Sequence, residues 1–188
     1  MRVTCPALGT VLNLEGPPRR IVSFVSSATE TIAALGCGDA VVGVTPYCAR
    51  YVPNLTAPVV GDYLSADREA LKALAPDLVL VTLGVQQGLA RRLAQEGFPV
   101  YALPLPASRW GILENQLTLG AILGRVDAAR VLNRRMEEGF EALWASAPPS
   151  PPRVFAELWL GPHQRGVGPR TFIYDLLELA GARPVEVP

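Results

Sequence analysis

Short continuous apolar runs alternate along this chain with stretches whose apolar positions recur every three or four residues, and the alternation predicts strand and helix in turn. The first such unit organises the rest. Ile21-Val22-Ser23-Phe24-Val25 reads as a buried strand, Ser26-Ser27 as a turn carrying hydroxyls, and the segment beyond as a helix that stops at Gly36. Ser27 followed three residues later by Glu30 fits a capping box, and Gly36 fits the left-handed position after a helix. Residues 40–45 form a second short strand, and a loop rich in Pro and Tyr runs over 46–65. Loops of that length inside compact domains are usually functional. Asp67 caps a helix whose Leu71 and Leu74 face inward, and Pro76 stops it. Residues 77–82 are a continuous apolar strand of the kind buried on both faces. A helix over 86–96 ends at Gly97, and 99–103 is the fourth strand. Strands alternating with helices make a parallel sheet with right-handed crossovers. Ahead of it, residues 2–14 alternate weakly around Leu8-Gly9-Thr10, which predicts an edge hairpin ended by Pro17-Pro18.

Residues 109–123 predict a helix ended by Gly124, and 126–146 carry apolar residues at Ala129, Leu132, Met136, Phe140 and Leu143. A helix over the latter segment spans about 30 Å, long for one compact lobe and natural for a rigid connector. Pro148-Pro149-Ser150-Pro151-Pro152 closes it with a stiff extended segment. A new unit follows, with a strand over 153–158, a loop over 159–170, a helix over 171–180 and Gly181 as terminator. One strand and one helix cannot bury their own apolar faces, so this second lobe is expected to be incomplete as read. The expected organisation is an α/β lobe over 1–124, a backbone helix over 125–147 and the start of a second α/β lobe over 148–188.

With 188 residues the chain is long enough for one domain or two small lobes. Its 17 basic residues balance 17 acidic ones, which gives no sign of a polyanion-binding face, so nucleic acid is not an expected partner. Lys72 is the only lysine, and with Pro (18) and Gly (17) frequent the composition resembles that of a GC-rich, heat-adapted host. The amino terminus lacks the apolar core of a secretory signal and no run approaches a membrane span, so the chain as written is expected in the cytoplasm. Cys5, Cys37 and Cys48 show no C-x-x-C spacing and indicate neither a disulfide framework nor a zinc knuckle, with a Cys37–Cys48 bridge left open. Ser26 and Ser27 lie outside the carboxyl end of a strand, where unpaired N–H groups hold polar ligand atoms. Serines in that position also serve simply as caps.

Arg20-Ile21-Val22-Ser23 with Ala28-Thr29-Glu30 and Ala34-Leu35-Gly36, then Val42-Gly43-Val44-Thr45, then Leu74-Ala75-Pro76-Asp77-Leu78-Val79 resemble the substrate-binding proteins of ABC importers for vitamin B12, haem and ferric siderophores. Thr171-Phe172-Ile173 with Leu176-Leu177-Glu178-Leu179-Ala180-Gly181 is similar to the second-lobe helix of that family. The resemblance implies two Rossmann-like lobes with parallel sheets joined by one long rigid helix, a ligand held between the lobes, and no catalytic residues or cofactor. It implies ligand contacts at Tyr47, Tyr63 and Trp159 beside Ser26 and Ser27, because rigid aromatic surfaces suit large flat ligands. It also implies a docking role for Glu69 toward an ABC permease, which works with its ATPase, although a carboxylate in a first helical turn also favours the helix dipole. A cobalamin-type corrinoid is the first ligand expected, with a ferric siderophore or haem second. The family is periplasmic or on the cell surface and carries a secretion signal, which this sequence lacks. Its members also have further second-lobe elements, including a second docking carboxylate.

Three other readings stay in view. A bare transition-metal site needs several His and carboxylate ligands, and His163 is the only histidine. It serves either as an axial ligand to a corrin or haem or as solvated surface. An α/β hydrolase would need Ser26 or Ser27 to meet His163, and no G-x-S-x-G elbow, G-x-G-x-x-G or Walker motif is present. A cytoplasmic, non-transporting sensor or scavenger would keep Tyr47 and Tyr63 without using Glu69.

Overall fold

The weak alternation at the amino end becomes an antiparallel hairpin of β1 (Arg2–Cys5) and β2 (Thr10–Asn13), reversed through Gly9 at a φ of +64°. The computed structural model describes residues 1–159 and 165–185. The chain divides into two compact units, one of Met1–Leu105 with Gln116–Ala129, the other of Pro106–Asn115 with Arg130–Pro188.

In the first unit, β3 (Ile21–Ser23), α1 (Ser26–Ala34), β4 (Val41–Val44), α2 (Arg68–Leu74), β5 (Leu78–Thr82), α3 (Gln87–Gln95) and β6 (Val100–Leu103) follow in order. The four strands from β3 to β6 form one parallel sheet in the order β4-β3-β5-β6. Ile21, Val22, Phe24 and Leu78 to Val81 are all buried to within 1%, the burial expected of a sheet covered on both faces. Chain direction across the sheet reverses after β4, so the right-handed crossovers on either side of the β3–β5 pair lie on opposite faces, and the switch point of the topology falls at the carboxyl ends of β3 and β5. Helix ends follow the local signals. α1 closes in a Schellman motif, with Gly36 at φ +73° and bonds from Gly36 N to Ala33 O and Cys37 N to Ile32 O. Asp67 caps α2 by accepting from Ala70 N. The expected Ser27–Glu30 capping box does not form, because α1 starts two residues earlier than that motif requires. Its N-cap is Val25, which has no side-chain cap, and Ser27 falls inside the first turn.

α4 (Arg109–Ile122) and α5 (Val126–Ala145) are both single helices, and the division between the compact units falls inside each of them. Leu143, read as part of the apolar stripe of α5, is 47% exposed, whereas the polar Asn133 is buried and donates to Leu113 O at 3.0 Å. In the second unit the single strand expected over 153–158 is two. β7 (Arg153–Val154) leads on to β8 (Glu157–Trp159), which pairs antiparallel with β9 (Arg165–Gly166). After α6 (Phe172–Leu179), β10 (Arg183–Pro184) returns to lie parallel to β7. The change of partner breaks the strand at Phe155-Ala156, where Ala156 O already takes Val167 N. Thr171 caps α6 through Tyr174 N, and Asp175 receives both the backbone N–H and the guanidinium of Arg109 at 2.7 Å. Among the described residues no helix is long and apolar enough to cross a membrane.

Two helical glycines respond oppositely to a methyl group. A Cβ on Gly120 would lie 2.5 Å from Ala129 Cβ and 3.2 Å from Arg125 O, neither of which is a flexible side-chain end, while one on Gly139 would meet nothing within 4 Å. Gly120→Ala is expected to cost about 1–3 kcal/mol through overpacking, and Gly139→Ala to stabilise by about 0.5–1 kcal/mol through helix propensity. Midpoints of urea unfolding moving in the same direction for both would contradict these contacts.

Candidate ligand-binding rim at the carboxyl ends of the strands

At the end of β3 the Ser23 hydroxyl donates to Val25 O at 3.0 Å and accepts from Val25 N at 3.3 Å, which turns the chain into α1. Ser26 is half-buried and Ser27 exposed on the first turn, where the backbone N–H groups have no side-chain cap. The Thr29 hydroxyl lies 2.9 Å from Ser23 Oγ and 3.2 Å from Cys48 Sγ. Cys48 is fully buried and also lies 3.4 Å from Thr45 Oγ1. It behaves as a small apolar anchor with weak hydrogen bonds, and it pins the short 3-10 turn Cys48–Arg50, at whose start Tyr47 stands 48% exposed. The Arg50 guanidinium is 6.0 Å from the Tyr47 ring centre. Cys37 has a different neighbour, Leu35 O at 3.8 Å, and Cys37 and Cys48 are both free thiols, so the bridge left open by the sequence is not made.

Tyr63 sits on a tighter turn. Asp62 N donates to Ser65 O, and Asp62 Oδ1 accepts from Leu64 N and Ser65 N at 2.7 Å each. These backbone donors, Leu64 first and Ser65 next, hold the Asp62 carboxyl below its ordinary value of 3.8. Gly61 and Ala66 form a β-bridge at the base of the turn. Gly61 has a φ of +153°, and a Cβ there would lie 2.3 Å from Ser65 O and 2.9 Å from the Phe24 ring, so only glycine fits. The Tyr63 side chain is 39% exposed and Leu64 beside it 54%.

Below this turn lies Gln86, which the sequence reading passed over. Its side chain is fully buried; Oε1 accepts from Thr82 N at 2.8 Å, and Nε2 donates to Phe24 O at 3.0 Å and Tyr63 O at 2.9 Å. A glutamine within the first residues after a buried apolar strand was the available signal. The loops that follow β5 and β6 add Val85, 68% exposed, and Leu105, 60% exposed, at the same end of the sheet. Glu69 stands exposed in the first turn of α2 and pairs with Lys72 at 2.9 Å. Trp159 closes β8, opposite Arg165 in the backbone register. His163 lies outside the described residues. Among the described residues no three His, Cys, Asp or Glu side chains are grouped to hold a metal ion.

The folded Asp62 carboxyl titrates below its ordinary value, so the turn is at full strength above that value and weakens as pH falls through the lowered one. In an NMR pH titration the Leu64 and Ser65 amide shifts are expected to move together with a midpoint below 3.8, and to stay flat in Asp62→Asn. A midpoint at or above that value would remove the clamp.

The sequence matches the family model described as periplasmic binding protein over residues 21–186. It is 31% identical over 185 residues to the cobalamin-binding proteins of two Halobacterium salinarum strains, an alignment covering 95% of this chain and 49% of theirs. The chain thus spans about half the length of the curated relatives it matches. Among solved structures it is similar to the periplasmic haem-binding protein HutB of Vibrio cholerae, at 27% identity and a TM-score of 0.74 over 88% of this chain and 65% of that one. A possible iron-binding, periplasmic solute-binding protein of Staphylococcus epidermidis shares the fold, at 24% identity and a TM-score of 0.78, with 89% of this chain and 67% of that one covered.

Proposed function

This chain belongs to the periplasmic binding protein family, and from that premise we propose that it captures a large metal chelate, a cobalamin-type corrinoid first, for delivery to an ABC permease and its ATPase. The observation that carries the ligand class is the 31% identity, over 95% of the chain, to proteins named for cobalamin binding. The geometry supports it in one respect. Tyr47 and Tyr63 are exposed aromatic side chains on turns pinned by buried groups, and rigid aromatic surface of that kind binds flat macrocycles with little loss of side-chain entropy.

In this reading Tyr47 and Tyr63 supply aromatic contact, while Ser26 and Ser27 offer hydroxyls and uncapped N–H groups to polar substituents. Trp159 is the aromatic candidate of the second unit. Nothing in this role calls for catalysis, and the family to which the chain belongs is one of binding proteins. Glu69, solvent-facing and paired with Lys72, is the proposed contact with the permease. Action on the outer side of the cytoplasmic membrane, in the periplasm or at the cell surface, is part of the same proposal. Haem is the second ligand reading, favoured by the 27% identity to a haem-binding protein.

The test is an equilibrium titration of the chain with cyanocobalamin, read by tryptophan quenching and by calorimetry, with haem and a ferric siderophore in parallel. Saturable one-to-one binding of cyanocobalamin is expected. Tyr63→Ala is expected to weaken it by about 1–3 kcal/mol, the loss typical of an aromatic anchor. Saturation by haem or the siderophore alone would replace the corrinoid assignment, and unchanged affinity in Tyr63→Ala would take that residue out of the site.

A further inference from the structure

Gln86 makes three hydrogen bonds from a fully buried side chain, and each goes to a different element of the candidate rim. Thr82 N belongs to the end of β5, Phe24 O to the residue just past β3, and Tyr63 O to the turn that carries an exposed tyrosine. The amide orientation is set by its partners, since the oxygen faces an N–H and the nitrogen faces two carbonyls. No other side chain of similar size supplies one acceptor and two donors in that arrangement. Glutamate lacks the donors, and methionine or leucine would take a buried partner from Phe24 O and Thr82 N and the link to Tyr63 O as well. The Phe24 ring also limits the space at Gly61, at the base of the same turn. The turn is therefore held from its base by Gly61, from within by Asp62 and from below by Gln86.

Resting on the ligand reading above, we propose that Gln86 is a positioning residue that presets the Tyr63 turn, so that the aromatic anchor is in place before ligand arrives. Gln86 itself is sealed from solvent and touches no ligand. Its effect on affinity passes through Tyr63. Ligand binding then bears little cost for ordering this turn, which is the general benefit of preorganisation.

A double-mutant cycle with cyanocobalamin as the probe tests this. Gln86→Met is expected to weaken binding about tenfold in the otherwise unchanged chain and less than about twofold in a Tyr63→Ala background. Equal losses in both backgrounds, or none in the first, would overturn the proposal. Gln86→Glu serves as the second variant should the methionine form not fold, with the same expectation. Amide hydrogen exchange of the unmodified chain supplies an arm that needs no binding. Leu64 and Ser65 are expected to be protected without ligand, and protection that arises only on adding cyanocobalamin would overturn the preset turn. Absence of binding by the unmodified chain would count against the ligand reading alone, leaving exchange in Gln86→Met to decide the role of Gln86: protection of Leu64 and Ser65 is expected to fall there, and unchanged protection would overturn that role.

Discussion

The rim depends on the double pairing of β3. Ile21, Val22 and Ser23 are buried on both faces and hydrogen-bonded to strands on both edges, in register with Leu78 to Leu80 on one side and with Val41 to Val44 on the other. A strand held that way cannot slip by one residue without breaking its hydrogen bonds to both neighbours and exchanging the side chains packed on its two faces. Its carboxyl end is therefore a fixed point, and three separate devices attach to it. Ser23 turns the chain into α1, the hydroxyl of Thr29 brings in Cys48, and Phe24 O takes one proton of the Gln86 amide. The turns bearing Tyr47 and Tyr63 are long-range dependants of a three-residue strand.

That dependence explains which features were legible from the chain alone. Apolar runs and terminators report directly on burial and on left-handed backbone, so the parallel strands, the helix ends at Gly36, Gly97, Gly124 and Gly181, and the cap at Asp67 could be read in advance. The misreadings share a cause. The Ser27–Glu30 box has the right spacing, but the helix began where Ser23 closed the turn, a contact between the end of one element and the start of the next. The break at Phe155-Ala156 likewise comes from a change of strand partner, which periodicity along one strand cannot reveal.

Gln86 went unread for a deeper reason. Nothing in its neighbours says that its partners will be residues 24 and 63, tens of positions away, and polar residues just past a strand are ordinarily solvated. The candidate aromatic residues were named from the family resemblance, in a long loop rich in proline and tyrosine. What holds them was not, because the supports are backbone carbonyls, a glycine whose Cβ would collide and a buried thiol. The exposed candidates could be proposed from the sequence; the groups that hold their turns required the fold.

This separation has a consequence for how ligand choice is built. Tyr47 and Tyr63 project from turns whose geometry is set by Cys48, Asp62, Gly61 and Gln86, none of which uses the tyrosine ring itself as a support. Replacing a ring therefore leaves its turn in place, whereas replacing a support moves whatever ring the turn carries. A scaffold arranged in this way can present different outward side chains on the same turns, and so take different flat or compact chelates, without re-engineering the sheet. This one chain is similar both to proteins named for cobalamin and to one named for haem. In the site proposed above, ligand identity would reside in the few exposed side chains of the rim, and the fold would constrain only where those side chains stand.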